Sequence, residues 1–459
     1  MKQADTAVHR GGKWFRRIQG VCLLAAAMLP VAAAAAPPPD VILISIDTLR
    51  ADRLGCYGYA HDVSPAIDAF AADALLFERC YSHAPFTGSS CASFLSGFLP
   101  HETRVFANVR LPGAVDTLAE RLRSSGYATA AVVSNYVLRR GMGFEQGFDL
   151  FDDTMDEREL VRRFPERIAA RTADRAIALL RLTREKPLFL WVHFQDPHGP
   201  YTPPAPFDTR FQDRGRPPRT LMLNRSQSGK GGIPSYQQLG DHREFHYYAG
   251  RYDGEIAYLD GHFGRLVDEL KRQGRYDRSL VVVTADHGEG MGEHDFFFAH
   301  GVYLYDMLIH VPLIIRGPGA QTGRRKDVVQ HIDIVPTVLA AAGLQPEPGL
   351  RGRSLFAENG SGRQVLAEMK HKQALIEDTL KLIRREKPRE EYLLFDRQND
   401  PGEETNLVTD PCYAETAARL RASLQQLGRE NLLGRGITTD VPVLSREEIK
   451  KLEALGYMQ

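Results

Sequence analysis

Short apolar runs rich in β-branched residues recur along the 459-residue chain, each separated from the next by a segment with helical spacing. Val41-Ile42-Leu43-Ile44-Ser45-Ile46 is the first and ends at Asp47. A run without apolar–polar alternation is what a strand buried on both faces requires. Ala128–Val133, Leu188–Phe194, Leu280–Thr284 and Val311–Ile315 repeat the pattern. Between the runs, Ser64-Pro65 offers an N-cap and first-turn proline for a helix to about Leu76, and Asp116–Ser125 is closed by Gly126. Ile256–Arg272 ends at Gly274, and Asp333–Ala342 completes the alternation. This spacing predicts an α/β fold with one large, mostly parallel sheet covered by helices on both faces.

Two stretches depart from the rhythm. Residues 202–246 are rich in Pro, Gly, Arg and Gln with little apolar periodicity, which reads as an insertion or lid. From about Val365 the pattern turns to short strand-like pieces and a helix near Ala414–Leu427, a smaller C-terminal α+β subdomain over 365–459. The large α/β domain is thereby expected over 40–364.

The first 36 residues form a third kind of segment. Arg10, Lys13, Arg16 and Arg17 precede an Ala-heavy apolar stretch that runs to Ala36, before Pro37-Pro38-Pro39. A basic head, an apolar run and small residues before a break describe a secretory signal peptide. Its removal implies a periplasmic or secreted protein without an integral membrane domain. In that oxidising compartment Cys56, Cys80, Cys91 and Cys412 are able to pair. With 58 basic and 58 acidic residues the chain lacks the basic excess of a nucleic-acid binder.

Ligands of open α/β sheets sit at the carboxyl ends of the strands, and three such ends here carry chemistry. Asp47 closes the first strand; Asp286-His287-Gly288-Glu289 follows Leu280–Thr284; His193, Asp196 and His198 lie at or just past Leu188–Phe194. Asp47, Asp286 and His287 make an oxygen and nitrogen donor set suited to one divalent ion: Mn, Zn, Mg, or Ca if more oxygens join. Ala84–Gly97 reads as an extended segment turning into a helix with Thr87 at its N-terminus, where free N–H groups favour an anion. The alternative at this position is that Thr87 or Ser89 only caps the helix.

In their order along the chain these segments resemble the sulfatase branch of the alkaline phosphatase superfamily. The resemblance runs from about Val41 to Leu407. It rests on Asp47-Thr48-Leu49-Arg50, the Thr87 segment through Ser96-Gly97, Asp196-Pro197-His198-Gly199, Asp286-His287-Gly288-Glu289 with Gly292-Glu293-His294, and the later Val311–Ile315, Asp333–Thr337 and Leu394-Phe395-Asp396 blocks. It implies a metal held by Asp47, Thr87, Asp286 and His287, catalytic roles for Thr87, His198 and His300, and substrate contacts from Arg50 and His294.

The chain also departs from the family. Sulfatases carry a Cys or Ser that is oxidised to formylglycine, in the pattern C/S-x-P-S-R; the aligned residues here are Thr87, Gly88, Ser89, Ser90 and Cys91. Threonine cannot yield an aldehyde, because its β-carbon already bears a methyl group. The set instead looks like that of single-metal phosphoryl-transferring relatives, which use a threonine nucleophile. The sequence therefore implies an exported hydrolase of phosphate, phosphonate or sulfate esters on a small molecule, lipid head group or glycan. Its rivals are a phosphoryl transferase to a lipid or glycan hydroxyl, and a non-catalytic member that binds anionic glycan.

Overall fold

The computed structural model describes residues 37–182, 185–212, 219–345, 349–357 and 362–433. The expected signal peptide, part of the insertion and the end of the C-terminal subdomain lie outside them. Eight strands form the main sheet: β1 (Asp40–Ile46), β2 (Leu75–Tyr81), β3 (Ala128–Val133), β4 (Leu150–Asp152), β5 (Leu188–Phe194), β6 (Ser279–Ala285), β7 (His310–Arg316) and β8 (Gly323–Gln330). Their order is β8-β2-β7-β6-β1-β5-β3-β4. Neighbours are parallel except β7, which runs antiparallel to β6 and β2. All seven residues of each of β1, β5 and β6 are buried, as their unbroken apolar runs require.

Register places the chemistry. Ile46 sits opposite Ala285 on one side and Phe194 on the other. The chain therefore leaves three adjacent strands at one level, delivering Asp47, Asp286-His287 and the Asp196–His198 loop side by side.

A second sheet is an antiparallel meander of β9 (Gln364–Met369), β10 (Lys372–Glu377), β11 (Leu380–Arg385) and β12 (Glu391–Asp396). Helix Ala414–Leu427 packs on it through Ala417, Leu420 and Leu424. Polar groups stitch this sheet to the catalytic part. His83 donates from Nδ1 to Leu366 O at 2.7 Å and accepts the Ile332 N–H at Nε2 at 3.5 Å. Lys381, fully buried on β11, pairs with Asp306 and lies 2.7 Å from Glu403.

Two expectations need correction, and the cysteine pairing left open by the sequence has an answer. The helix opened by Ser64-Pro65 stops at Ala72, and Leu75-Leu76 begin β2 instead. The last part of the 202–246 insertion belongs to a helix, since Phe245–Arg272 is one continuous element. The four described cysteines are unpaired: Cys80 and Cys91 are buried in the core, whereas Cys412 is exposed. No described helix is long and apolar enough to cross a membrane.

Burial of His83 carries a pH prediction. Desolvation holds its imidazole down at about 4, below the ordinary 6.5, against the Leu366 carbonyl that favours the proton. Burial also pushes His331 down, to about 3. At this position the unfolded chain takes up a proton near pH 6.5 and the folded chain does not until near pH 4, so the stability that the neutral His83 contributes falls as pH drops through that window and is constant above it. The difference in urea midpoint between the native protein and His83→Gln, which has no proton to gain, should shrink as pH is lowered from 7 to 5.

Candidate active site

The floor of the site is the carboxyl end of β1 and β6. Asp47 and Asp286 are fully buried. Asp286 Oδ1 accepts the backbone N–H of Thr48 at 3.0 Å and of His287 at 2.7 Å. Thr48 reaches that position at a φ of +56°, an unusual conformation for a β-branched residue. The Tyr252 hydroxyl donates to its carbonyl at 2.7 Å and holds it there. Asp47 Oδ2 accepts from Asn135 Nδ2 and faces His193 Nε2 at 3.4 Å. That leaves Asp47 Oδ1 and Asp286 Oδ2 buried with no hydrogen-bond partner.

Those two oxygens form the fit test for a cation. Asp47, Asp286 and His287 offer ligand atoms that all lie within 4.8 Å of one another. Burial pushes the Asp47 carboxyl up to about 7, and Asp286 is raised by burial and by Asp47. Two such carboxylates gain most from a positive ion between them. His287 is preset as a ligand: its Nδ1–H donates to Gly288 O at 2.9 Å, so Nε2 presents its lone pair. The donor set fits a divalent metal.

Thr87 completes this floor. It is the first residue of helix Thr87–Ser96, behind Phe86, which offers no side-chain cap. Thr87 is therefore not a cap; its Oγ1 lies 3.4 Å from His287 Nε2. Ser89 does not cap the helix either, since its hydroxyl donates to Ala107 O at 3.2 Å. Asn108 Oδ1 accepts the Gly88 N–H at 2.6 Å and fixes the first turn. A Cβ on Gly88 would sit 2.9 Å from Ala107 O, so only glycine lets this turn lie so close to that loop. Cys91, one turn along, is buried in the core; burial and the nearby Asp286 and Asp47 raise its thiol well above the usual range, which makes it a poor nucleophile.

A histidine series leads away from Thr87. The ring of His300 is centred 4.5 Å from that of His287, and His198 lies 5.2 Å beyond His300. Burial holds His300 down at about 4 and His198 well below its ordinary value, the latter helped by His300 and Arg162. Both rings are neutral at pH 7. His300 Nδ1 faces Glu289 Oε1 at 3.3 Å, and Tyr201 OH donates to Glu289 Oε2 at 3.1 Å. Gln195 Nε2 lies 3.1 Å from His198 Nδ1.

The structure thus brings Asp47, Thr87, Asp286, His287, His300 and His198 together. It places Arg50 and His294 elsewhere, on a neighbouring cavity of about 600 Å³ shared with Tyr81, Tyr305, Arg397 and Glu403. The Arg50 guanidinium is committed to Asp52, Glu293 and the carbonyl of Glu289, a brace on the segment that follows Asp286 and His287. His294 stacks on Tyr305 at 3.7 Å. Asn135 is a supporting residue that a reading of the sequence misses as such. Asn135 carried one usable signal, its place just past the carboxyl end of β3.

With this geometry established, comparison with known proteins is direct. The family model described as Sulfatase matches residues 39–344, and one described as N-sulphoglucosamine sulphohydrolase, C-terminal, matches residues 292–430. A Delta 4,5-hexuronate-2-O-sulfatase of Bacteroides thetaiotaomicron is 28% identical over 434 residues, covering 84% of this chain and 88% of that protein. A choline-sulfatase of Rhizobium meliloti is 28% identical over 427 residues, covering 81% and 83% respectively. The fold is shared with a phosphonate monoester hydrolase from Silicibacter pomeroyi, at a TM-score of 0.70 and 24% identity, over 85% of this chain and 95% of the other. The chain belongs to the sulfatase family of ester-bond hydrolases.

Proposed function

We propose that the protein is an exported, metal-dependent hydrolase that cleaves phosphate, phosphonate or sulfate esters with Thr87 as nucleophile. One observation carries the reading: a buried hydroxyl at a helix N-terminus, 3.4 Å from the lone pair of His287, beside two buried carboxylates that lack a counter-charge. Asp47, Asp286, His287 and Thr87 would hold the ion. When bound, it supplies positive charge that neutralises the transferring group and lowers the pKa of the Thr87 hydroxyl.

The chain's own groups account for the remaining steps. Thr87 Oγ attacks phosphorus or sulfur, forming one ester bond as the bond to the leaving oxygen breaks. The Thr87 hydroxyl proton passes to solvent water and the leaving oxygen takes its proton from water in turn, while the neutral rings of His300 and His198 would hydrogen-bond that oxygen through their N–H groups without ionising. The start of helix Thr87–Ser96 adds the positive end of its dipole where negative charge builds up on the transferring group, the Gly88 N–H itself being taken by Asn108. Water then attacks the same atom, and Thr87 leaves with its proton restored. Threonine favours phosphorus over sulfur here, because a phosphothreonine ester is resolved by attack at phosphorus, whereas the aldehyde-hydrate elimination of formylglycine is closed to it. The relatives named for sulfate and phosphonate esters support the ester class.

Two outcomes test the reading. On metal-replete enzyme, nitrophenyl phosphate, bis-nitrophenyl phosphate, nitrophenyl phenylphosphonate and nitrophenyl sulfate should give turnover of a phosphorus ester. Thr87→Ala should lose about 10³-fold or more in kcat. Turnover of the sulfate alone, or full activity in Thr87→Ala, would sink the threonine–phosphorus assignment. Independently of activity, a divalent ion added to chelator-treated protein should raise Tm. Asp286→Asn should abolish most of that rise, and an unchanged rise would remove Asp286 from the metal site.

A further inference from the structure

The loop after His300 leads out of the site to a group of cations that ester hydrolysis does not use. Tyr303 stands three residues past His300 and is half-buried, which keeps it within about 11 Å of His300 along the chain. Lys230, from the insertion, holds its Nζ 5.4 Å from the centre of the Tyr303 ring. Lys372, the first residue of β10, places its Nζ at 5.5 Å from the same ring. Arg385, at the end of β11, donates from Nη2 to the Tyr305 hydroxyl at 2.7 Å. The Tyr303 and Tyr305 rings lie 5.4 Å apart. Three positive charges from three separate stretches of chain converge on two aromatic rings.

Such a grouping is unfavourable unless something negative joins it. Arg385 has one carboxylate, Glu391, at 3.5 Å, and the neighbouring Asp295 faces Arg219 at 3.9 Å. Neither lysine forms an ion pair with a carboxylate among the described residues. Lys372 donates to the carbonyl of Val302. Burial, with repulsion from Lys230 and Arg385, holds its ammonium down at about 8. Contact with the Tyr303 face offsets only part of that repulsion. Lys230 is exposed and Lys372 half-buried, so both remain open to a ligand at the rim.

We propose that Lys230, Lys372, Arg385 and Tyr303 form a subsite for an anionic sugar ring. The ring lies at the rim beside Tyr303, whose face holds the two lysines in place, and pairs its sulfate or carboxylate with them. Its distance from His300 lets one oligosaccharide engage this subsite while its ester enters the Thr87 floor, and that linkage rests on the function proposed above. Saccharide binding itself does not require turnover.

The test is calorimetric titration of the full chain with a chondroitin sulfate octasaccharide and with its reduced-carboxyl, desulfated counterpart. The sulfated chain should bind, with affinity falling as salt rises, and the neutral chain should not. Lys230→Glu should weaken binding by about tenfold, and Lys230→Glu with Lys372→Glu further still, while nitrophenyl ester turnover stays unchanged. Bound sulfated saccharide should also protect Lys372 from acetylation near pH 8. Equal binding by Lys230→Glu and the native protein overturns the proposal, as does preferential binding to phosphatidylserine vesicles. If the native protein turns over none of the chromogenic esters yet binds the octasaccharide through Lys230, the subsite stands and the hydrolytic reading falls.

Discussion

Two carboxylates buried side by side govern this molecule. Asp47 and Asp286 leave neighbouring parallel strands at the same level, and each keeps one oxygen without a hydrogen-bond donor. Burying an unpaired charge is among the costliest things a fold does, so the surroundings are organised to bear it. Backbone N–H groups of Thr48 and His287 serve one oxygen of Asp286, and Asn135 and His193 serve one of Asp47. The oxygens left over point where His287 and Thr87 converge. The strained turn at Thr48, the tautomer of His287 and the glycine behind Thr87 all follow from holding this arrangement.

Around that floor the fold separates fixed parts from variable ones. The floor residues come from the ends of buried strands and the start of a buried helix. The histidines and their supports come from loops braced against a second tier: Tyr236 and Gln237 of the insertion both donate to the carbonyl of Phe298, two residues before His300. The antiparallel C-terminal sheet joins the same wall through His83 and through the buried Lys381 cluster.

Much of this was legible from residue order. The unbroken apolar runs of β1, β5 and β6 announce strands buried on both faces, and the acidic and imidazole groups just past their ends announce the site. Other parts left weaker traces. β2 mixes Glu78 and Arg79 into its run, and β8 carries Arg324, Arg325 and Lys326, charges that suit an edge strand but hide its period. The start of helix Phe245–Arg272 was masked by Gly250 and Gly254, poor helix formers. A Cβ at these positions would lie 2.7 Å from Phe211 O and 2.4 Å from Phe207 O, so the glycines serve close packing of the insertion on the helix. Arg50 and His294 sit near the site in sequence, but their partners come from other segments: the carbonyl of Glu289 and the ring of Tyr305. Spacing alone does not reveal such long-range choices.

The register of the central strands has an evolutionary reach. Because Ile46, Ala285 and Phe194 end in line, the reactive floor is set by backbone hydrogen bonding between strands. Two side chains of the insertion, Tyr236 and Gln237, reach the histidine wall through one main-chain acceptor, Phe298 O. The exposed part of the insertion can therefore be recharged with little disturbance below, so long as the hydroxyl of Tyr236 and the amide of Gln237 are kept.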